Sequence, residues 1–313
     1  MKIVLFSSGS LSLRIIPYIY EISPEFVLVT KVDKPQGRGM KIKPNIVKQE
    51  VSRLPTKIKI YEFSSLKRIE SEIERENYEK LVGELKNTDI AISCDIGLII
   101  PKELIDLPGI FINIHPSLLP LYRGPSPIQY ALLNGDKLTG ITICLLSEEI
   151  DKGDIILQSV LEIDEDSNYE TLKQQLSELA LITLKRFIKL YSEKKLSYLK
   201  QDETKATYTK KIKDTILDFS KGVEYLHNQI RAFYPNGYIM TDINGSIKRL
   251  KILKTRISRS INLSLSKKGI FLFSKDRLFL DLQGDYGMIE VLELQVEGKK
   301  VIDSRAFING YLK

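Results

Sequence analysis

Apolar positions along this chain alternate between short continuous runs and stretches with a helical repeat. Residues 2 to 6 (Lys-Ile-Val-Leu-Phe) predict a buried strand. The turn Ser7-Ser8-Gly9-Ser10 and a helix carrying Leu11, Ile15, Ile16 and Ile19 follow it. A second strand is predicted over 26–30, a helix over 46–51 and a short strand over 57–61. Residues 66–86 mix Glu and Lys along a helix, which predicts a solvated face, and residues 89–94 read as another buried strand. Beyond residue 110 the pattern predicts a helix over 125–133 that Asn134-Gly135 stops, then strands over 139–146 and 154–163. Ser167-Asn168-Tyr169-Glu170 has the form of a capping box. It opens a long helix with an apolar stripe through Leu172, Leu176, Leu179, Ala180, Thr183, Phe187 and Tyr191, which reads as core. This alternation predicts an α/β domain over residues 1–193, doubly wound around a mostly parallel sheet.

The pattern then changes. Lys194 to Lys211 is polar and aperiodic, and residues 194–204 are expected to link the first domain to a second one spanning 205–313. In the second, an amphipathic helix over 219–233 precedes five short strands at 238–243, 247–257, 269–273, 278–282 and 289–296. Short strands with turn signals between them predict a small closed β-barrel, OB-like.

One stretch carries candidate chemistry. Asn113 and His115 stand two apart at the end of the apolar run Ile110, Ile112, Ile114. On a strand the period of two puts both side chains on one face, and strand tips of open parallel sheets are where α/β proteins place sites. An amide N–H beside a ring that titrates near neutrality suits acyl transfer, which needs an oxyanion held and a proton moved. Taken alone, the pair also fits a turn cap and a half-buried core histidine.

The wider context, residues 112–158, resembles the folate-dependent formyltransferases: Asn113-x-His115, then Ser117-Leu118-Leu119-Pro120, then Asp151-x-Gly153-Asp154. By that resemblance Asn113, His115 and Asp151 form the catalytic trio, and Ser117, Leu118, Leu119 and Pro120 the folate-binding loop. The co-substrate it implies is 10-formyltetrahydrofolate, with no metal. The basic loop Lys31 to Pro44 holds two glycines, two prolines and five basic residues, the composition of an exposed functional loop. Its Asp33-x-Pro35-x-Gly37-Arg38-Gly39 core is similar to the loop of the methionyl-tRNA members, in which Arg38 would meet the acceptor arm of initiator methionyl-tRNA. Ile230-Arg231-Ala232-Phe233 and Pro235 resemble the start of the C-terminal domain of the same members. Pro116 departs from them, since a small residue usually precedes the Ser. Together with the Arg-Gly-Pro-Ser-Pro run at 123–127 it resembles the sugar members, so the alternative acceptor is a nucleotide-linked amino sugar.

Composition narrows this further. A length of 313 residues suggests about two domains, and 43% hydrophobic with 28% charged residues describes a globular protein. No apolar run approaches the ~18 residues of a membrane span, and the chain opens directly on a strand pattern. The protein is therefore expected to be cytoplasmic, and it is expected to act as a monomer. Cys94 and Cys144 sit in apolar runs and read as reduced core residues. With His227 the only other histidine, metal-ligand spacings are missing. The GxGxxG spacing of a dinucleotide site and the richer phosphate loop of ribotide-type members are also missing near residue 9. The net charge of +7 belongs to the C-terminal third, where residues 205–313 hold 20 Lys and Arg against 11 Asp and Glu, leaving 27 against 29 before them. Such asymmetry points to a polyanionic partner for that part.

Overall fold

The computed structural model describes residues 1–36, 41–258, 264–282 and 288–313. Arg38, expected to meet tRNA, lies outside the described residues. The chain divides into two compact units: Met1–Pro127, Leu138–Glu162 and Lys173–Lys210 form the first, and Ile128–Lys137, Ile163–Leu172 and Lys211–Lys313 the second.

The first unit is built on β1 (Ile3–Phe6), α1 (Ile15–Ile22), β2 (Val27–Lys31), the hairpin β3 (Lys34–Gln36) and β4 (Lys41–Lys43), α2 (Ile46–Val51) and β5 (Lys59–Phe63). Then come α3 (Glu72–Lys86), β6 (Ile90–Ser93), α4 (Lys102–Ile105), β7 (Ile110–His115), β8 (Leu138–Leu145), β9 (Ile155–Glu162) and α6 (Tyr169–Ser192) from Lys173 onward; α5 (Pro127–Leu133), between β7 and β8 in the chain, falls in the second unit but for its first residue. Seven strands run in the order β5-β2-β1-β6-β7-β8-β9. The first five are parallel, while β8 pairs antiparallel with β7, and β9 antiparallel with β8. The sheet is thus mostly parallel, as expected. Strands β1, β2 and β6 have little or no exposed side chain, which is why their sequences are continuous apolar runs rather than alternating ones. One face buries Val4, Phe6, Val29, Phe63, Leu81 and Phe111 in a common core, with the Phe6 and Phe111 ring centroids 5.0 Å apart. Full burial of one such aliphatic or aromatic side chain is worth about 1.5–3 kcal/mol.

Local chemistry moved several boundaries. The helix expected over 66–86 begins at Glu72, because Ser71 accepts the Glu74 N–H at 3.1 Å as its N-cap while Leu66 is drawn into the core. The capping box at the start of α6 is shifted by one residue. Asn168 Oδ1 accepts the N–H of Glu170 (3.0 Å) and of Thr171 (3.1 Å), and Thr171 Oγ1 accepts the Asn168 N–H at 2.9 Å. The turn after β1 is filled from inside the protein. The Asp95 carbonyl accepts the N–H groups of Ser8 and Gly9, and its carboxylate accepts that of Leu11 and pairs with Lys173. The basic loop is pinned at its ends: Asp33 accepts the Asn45 N–H and pairs with Lys48, which also pairs with Glu62.

The second unit holds α7 (Val223–Phe233), β10 (Tyr238–Ile243), β11 (Ser246–Ser258), β12 (Ser266–Lys268), β13 (Phe271–Phe273), β14 (Leu278–Leu280), β15 (Met288–Val296), β16 (Val301–Asp303) and α8 (Ser304–Phe307). These seven strands form one antiparallel sheet in the order β10-β11-β15-β14-β13-β12, with β16 on β15, and a register shift bends β11 between Ile252 and Thr255. The domain is OB-like. Five strands were expected. The two missed, β12 and β16, have three residues each, too few for a period of two to register. Among the described residues the strand path ends at β10 and β12 rather than closing.

His227 on α7 sits against β11 with Nδ1 2.9 Å from Thr255 Oγ1. Burial, reinforced by the Arg231 guanidinium, pushes its pKa down from 6.5 to about 4. An unfolded chain takes up this proton near pH 6.5 and the folded one only near 4, so stability falls as pH is lowered through that window and levels off below it. The whole window is worth about 3 kcal/mol. We expect His227→Gln to flatten the loss of urea-unfolding midpoint between pH 7 and pH 4.5; an equally steep loss in the variant would contradict this origin.

Candidate active site

Strand β7 is the hinge of the sheet: it pairs parallel with β6 on one side and antiparallel with β8 on the other. Asn113 lies opposite Ser93 and Cys144, and His115 opposite Thr142. Their two-residue spacing puts both on the same face at the C-terminal end of the strand, as the alternation predicted. His115 is buried and Asn113 half-buried.

The third expected residue, Asp151, arrives from the turn between β8 and β9. Its Oδ1 accepts the Asn113 Nδ2–H at 3.0 Å and lies 3.5 Å from His115 Nδ1; its Oδ2 accepts the Gly124 N–H at 2.7 Å. The opposite nitrogen, His115 Nε2, is 3.0 Å from the Tyr122 carbonyl oxygen. A carbonyl only accepts, so Nε2 carries a proton in this arrangement. Amide, imidazole and carboxylate are thereby brought together from positions 38 residues apart.

Two features force the Asp151 turn. Gly153 is required sterically: a Cβ there would stand 1.8 Å from the Leu145 carbonyl oxygen, on the strand that the turn leaves. Asp151 itself has φ +56°, a left-handed conformation that Asp tolerates better than most residues, at a cost of about 1–3 kcal/mol.

The Ser117 to Pro120 loop divides into buried supports and an accessible edge. Ser117 Oγ donates to the Leu121 carbonyl at 2.6 Å, and the Ser117 carbonyl accepts the Thr142 hydroxyl at 2.6 Å. Thr142 Oγ1 also accepts the Leu119 N–H, and Gln158 Nε2 donates to the Leu119 carbonyl at 2.9 Å. Ser117 and Leu119 are buried, whereas Leu118 and Pro120 are half-buried.

Three neighbours were not singled out from sequence: Tyr122, Gly124 and Arg123. The Arg-Gly pair had been noticed only as a hint about the acceptor. The Arg123 side chain is fully buried, and its guanidinium is saturated by Gln201, Glu203 and Tyr208. These partners lie 78 to 85 residues away, Gln201 and Glu203 in the stretch expected to be a linker and Tyr208 just beyond it, so no local pattern could disclose them. That stretch is hydrogen-bonded to the first unit along its length: Leu199 bridges to Ile155, and Thr207 and Thr209 bond to the backbone of residues 120–126. Cys94 and Cys144 are buried free thiols, and burial raises both pKa values well above the usual range. Among the described residues no cluster of His, Cys, Asp and Glu could hold a metal, and no helix is long and apolar enough to cross a membrane.

A mostly parallel sheet with this strand-tip site, followed by an antiparallel OB-like domain, is the architecture of a formyl transferase. The corresponding family models match: "Formyl transferase" over residues 1–188 and "Formyl transferase, C-terminal domain" over 210–312. The chain is 36% identical to the methionyl-tRNA formyltransferase of Coprothermobacter proteolyticus, over 99% of this chain and 97% of that protein. It is 34% identical to that of Leptospira interrogans over the same shares, and 38% identical to that of Ehrlichia ruminantium over 90% and 87%. The chain therefore belongs to the methionyl-tRNA formyltransferase family. In fold it is similar to a sugar 3N-formyl transferase solved with dTDP and 5-N-formyl-THF (TM-score 0.63, 20% identity, 96% of this chain and 99% of that one). It is also similar to HypX of Aquifex aeolicus with tetrahydrofolic acid (TM-score 0.62, 14% identity, 100% of this chain and 47% of that one).

Because Gly153 admits no Cβ, Gly153→Ala is expected to destabilise the first unit by roughly 1–3 kcal/mol, the usual cost of overpacking. The check is the urea-unfolding midpoint, which should drop; an unchanged midpoint would mean the turn relaxes freely.

Proposed function

We propose that this protein transfers the formyl group of 10-formyltetrahydrofolate to the α-amino group of methionine carried by initiator tRNA. The observation that carries the reading is the convergence of Asn113, His115 and Asp151 at one carboxylate oxygen, in a chain related along almost its whole length to methionyl-tRNA formyltransferases. The sugar acceptor is the less favoured alternative. The sugar N-formyltransferases that share its fold are below 25% identity, whereas the methionyl-tRNA formyltransferases exceed 30%. In this reading the protein acts as a monomer in the cytoplasm, where charged tRNA is used.

In this reading the neutral amine attacks the formyl carbon, the new C–N bond forms, and the carbonyl π pair moves onto oxygen. Asn113 has two amide N–H groups; one is spent on Asp151, and the other donates to the oxyanion. The attacking amine gives up its proton to the His115 ring. With Nε2–H tied to the Tyr122 carbonyl, the basic nitrogen is Nδ1, and protonation there sets a positive ring beside the Asp151 carboxylate. Collapse of the oxyanion breaks the bond to folate N10, which takes a proton as it leaves. Leu118 and Pro120 offer the apolar edge against which the folate ring lies, while Ser117 and Leu119 hold that edge from behind.

The basic second unit supplies phosphate contacts to the tRNA, and Arg38 positions the aminoacyl end. Each phosphate neutralised on duplex adds about 0.9 to the salt slope of binding.

Two outcomes follow. Asn113→Ala should lower kcat for charged initiator tRNA by roughly 10²–10³ with folate and tRNA binding retained, the usual cost of one oxyanion donor; turnover at the wild-type rate, or transfer to a nucleotide-linked amino sugar in preference to tRNA, would sink the reading. Arg38→Ala should lower kcat/KM on initiator tRNA far more than it lowers tRNA affinity measured across several salt concentrations. A variant that formylates as well as wild type removes Arg38 from the mechanism.

A further inference from the structure

Gln201 makes four hydrogen bonds with one side chain. Its Nε2 donates to the carbonyl of Asp151 at 2.8 Å and of Gly153 at 2.7 Å. Its Oε1 accepts from Arg123 Nε at 3.0 Å and Nη2 at 2.8 Å. Behind it, Glu203 closes on the same guanidinium through both oxygens, at 2.9 and 2.8 Å, and the Tyr208 hydroxyl accepts from Nη1 at 3.0 Å. Only an amide does this work: it presents donors to two carbonyls and an acceptor to a cation at once.

The place of this grip matters more than the number of bonds. Asp151 is held in the left-handed region, a conformation that persists only where its surroundings impose it. Its carboxylate is fixed by Gly124, the residue after Arg123, and its carbonyl by Gln201, which Arg123 braces. Both ends of one residue are thus tied to one buried side chain and the peptide beside it. Released from Gln201, the backbone at 151 is free to leave the left-handed well, and its carboxylate then leaves Asn113 and His115.

We propose that Gln201, braced by Arg123, is a positioning residue for Asp151: it grips the Asp151 and Gly153 carbonyls and thereby sets the carboxylate against Asn113 and His115. The proposal rests on the reading of Asp151 as a member of the catalytic trio. Gln201 touches no reacting atom, and its effect passes through Asp151 alone.

The test is a double-mutant cycle on the full chain, with kcat and both KM values measured for Gln201→Ala, Asp151→Asn and the pair together. Gln201→Ala is expected to lower kcat by roughly 10²-fold, the cost of a misplacement of about 1 Å, with the KM for folate and for tRNA unchanged. In the Asp151→Asn background the same substitution should remove no further rate, because the group it positions has already lost its charge. Gln201→Glu provides a second arm. It keeps the volume and the acceptor toward Arg123 but turns a carboxylate oxygen on two carbonyls, so kcat should fall as in the alanine variant while both KM values stay near wild type. Wild-type kcat in Gln201→Glu, or an equal loss from Gln201→Ala in both backgrounds, overturns the proposal. An Asp151→Asn protein that turns over like wild type overturns instead the reading of Asp151 on which the proposal stands.

Discussion

The Asp151 carboxylate is the point on which the candidate site depends. Its two oxygens collect an N–H from the tip of β7 and another from the loop that follows it, and the first of these oxygens also faces the imidazole. An ionised carboxylate has room for about four donors and offers none of its own. It can therefore gather groups from separate segments without competing with them for protons. A neutral amide of the same shape would have to spend one of its two ends on an N–H and would lose the charge that a protonated ring needs. The position of the carboxylate is set not by its own strand but by a left-handed turn, a glycine that the β8 backbone approaches closely, the Gly124 peptide N–H and the Gln201 side-chain amide.

Around that carboxylate the sheet contributes rigidity. Strand β7 has neighbours on both sides, and the change from parallel to antiparallel pairing occurs at β8, so the loop after β7 leaves the sheet and turns back across its end. Thr142 and Gln158, on β8 and β9, carry that loop from beneath through hydroxyl and amide contacts to Ser117 and Leu119. Each such bond is worth only about 1 kcal/mol net, but a buried polar group left without its partner costs more, about 1–3 kcal/mol. The loop is specified chiefly by what breaking it would strand.

Much of this was legible in the residues because it is local. Buried strands announced themselves as apolar runs, and the two-residue spacing of Asn113 and His115 fixed their shared face before any neighbour was known. Where the reading slipped, a competing local interaction decided: Asn168 took the cap expected of Ser167, Ser71 started the helix expected from Leu66, and three-residue strands carried no period to read. Arg123 and Gln201 were opaque for a different reason. A polar aperiodic stretch and a lone arginine say nothing separately, and their meaning arises only when the fold sets them 2.8 Å apart. The basic character of the C-terminal third was plain from charge counting alone, since net charge sums over residues without regard to their order.

The polar stretch from Leu199 to Thr209 bears on how such a chain can be cut and recombined. By composition it is the obvious seam, the place where a shuffling event or an engineer would exchange one C-terminal domain for another. Its hydrogen bonds say otherwise: it belongs to the first unit, which continues through Lys210. A chimaera joined at residue 194 with a foreign segment lacking Gln201, Glu203 and Tyr208 would inherit a buried guanidinium without the acceptors that saturate it. A chimaera joined after Lys210 would carry its own anchorage with it. The heritable module here is longer than its regular secondary structure, and lineages that trade C-terminal domains by recombination should show breakpoints on the far side of that stretch.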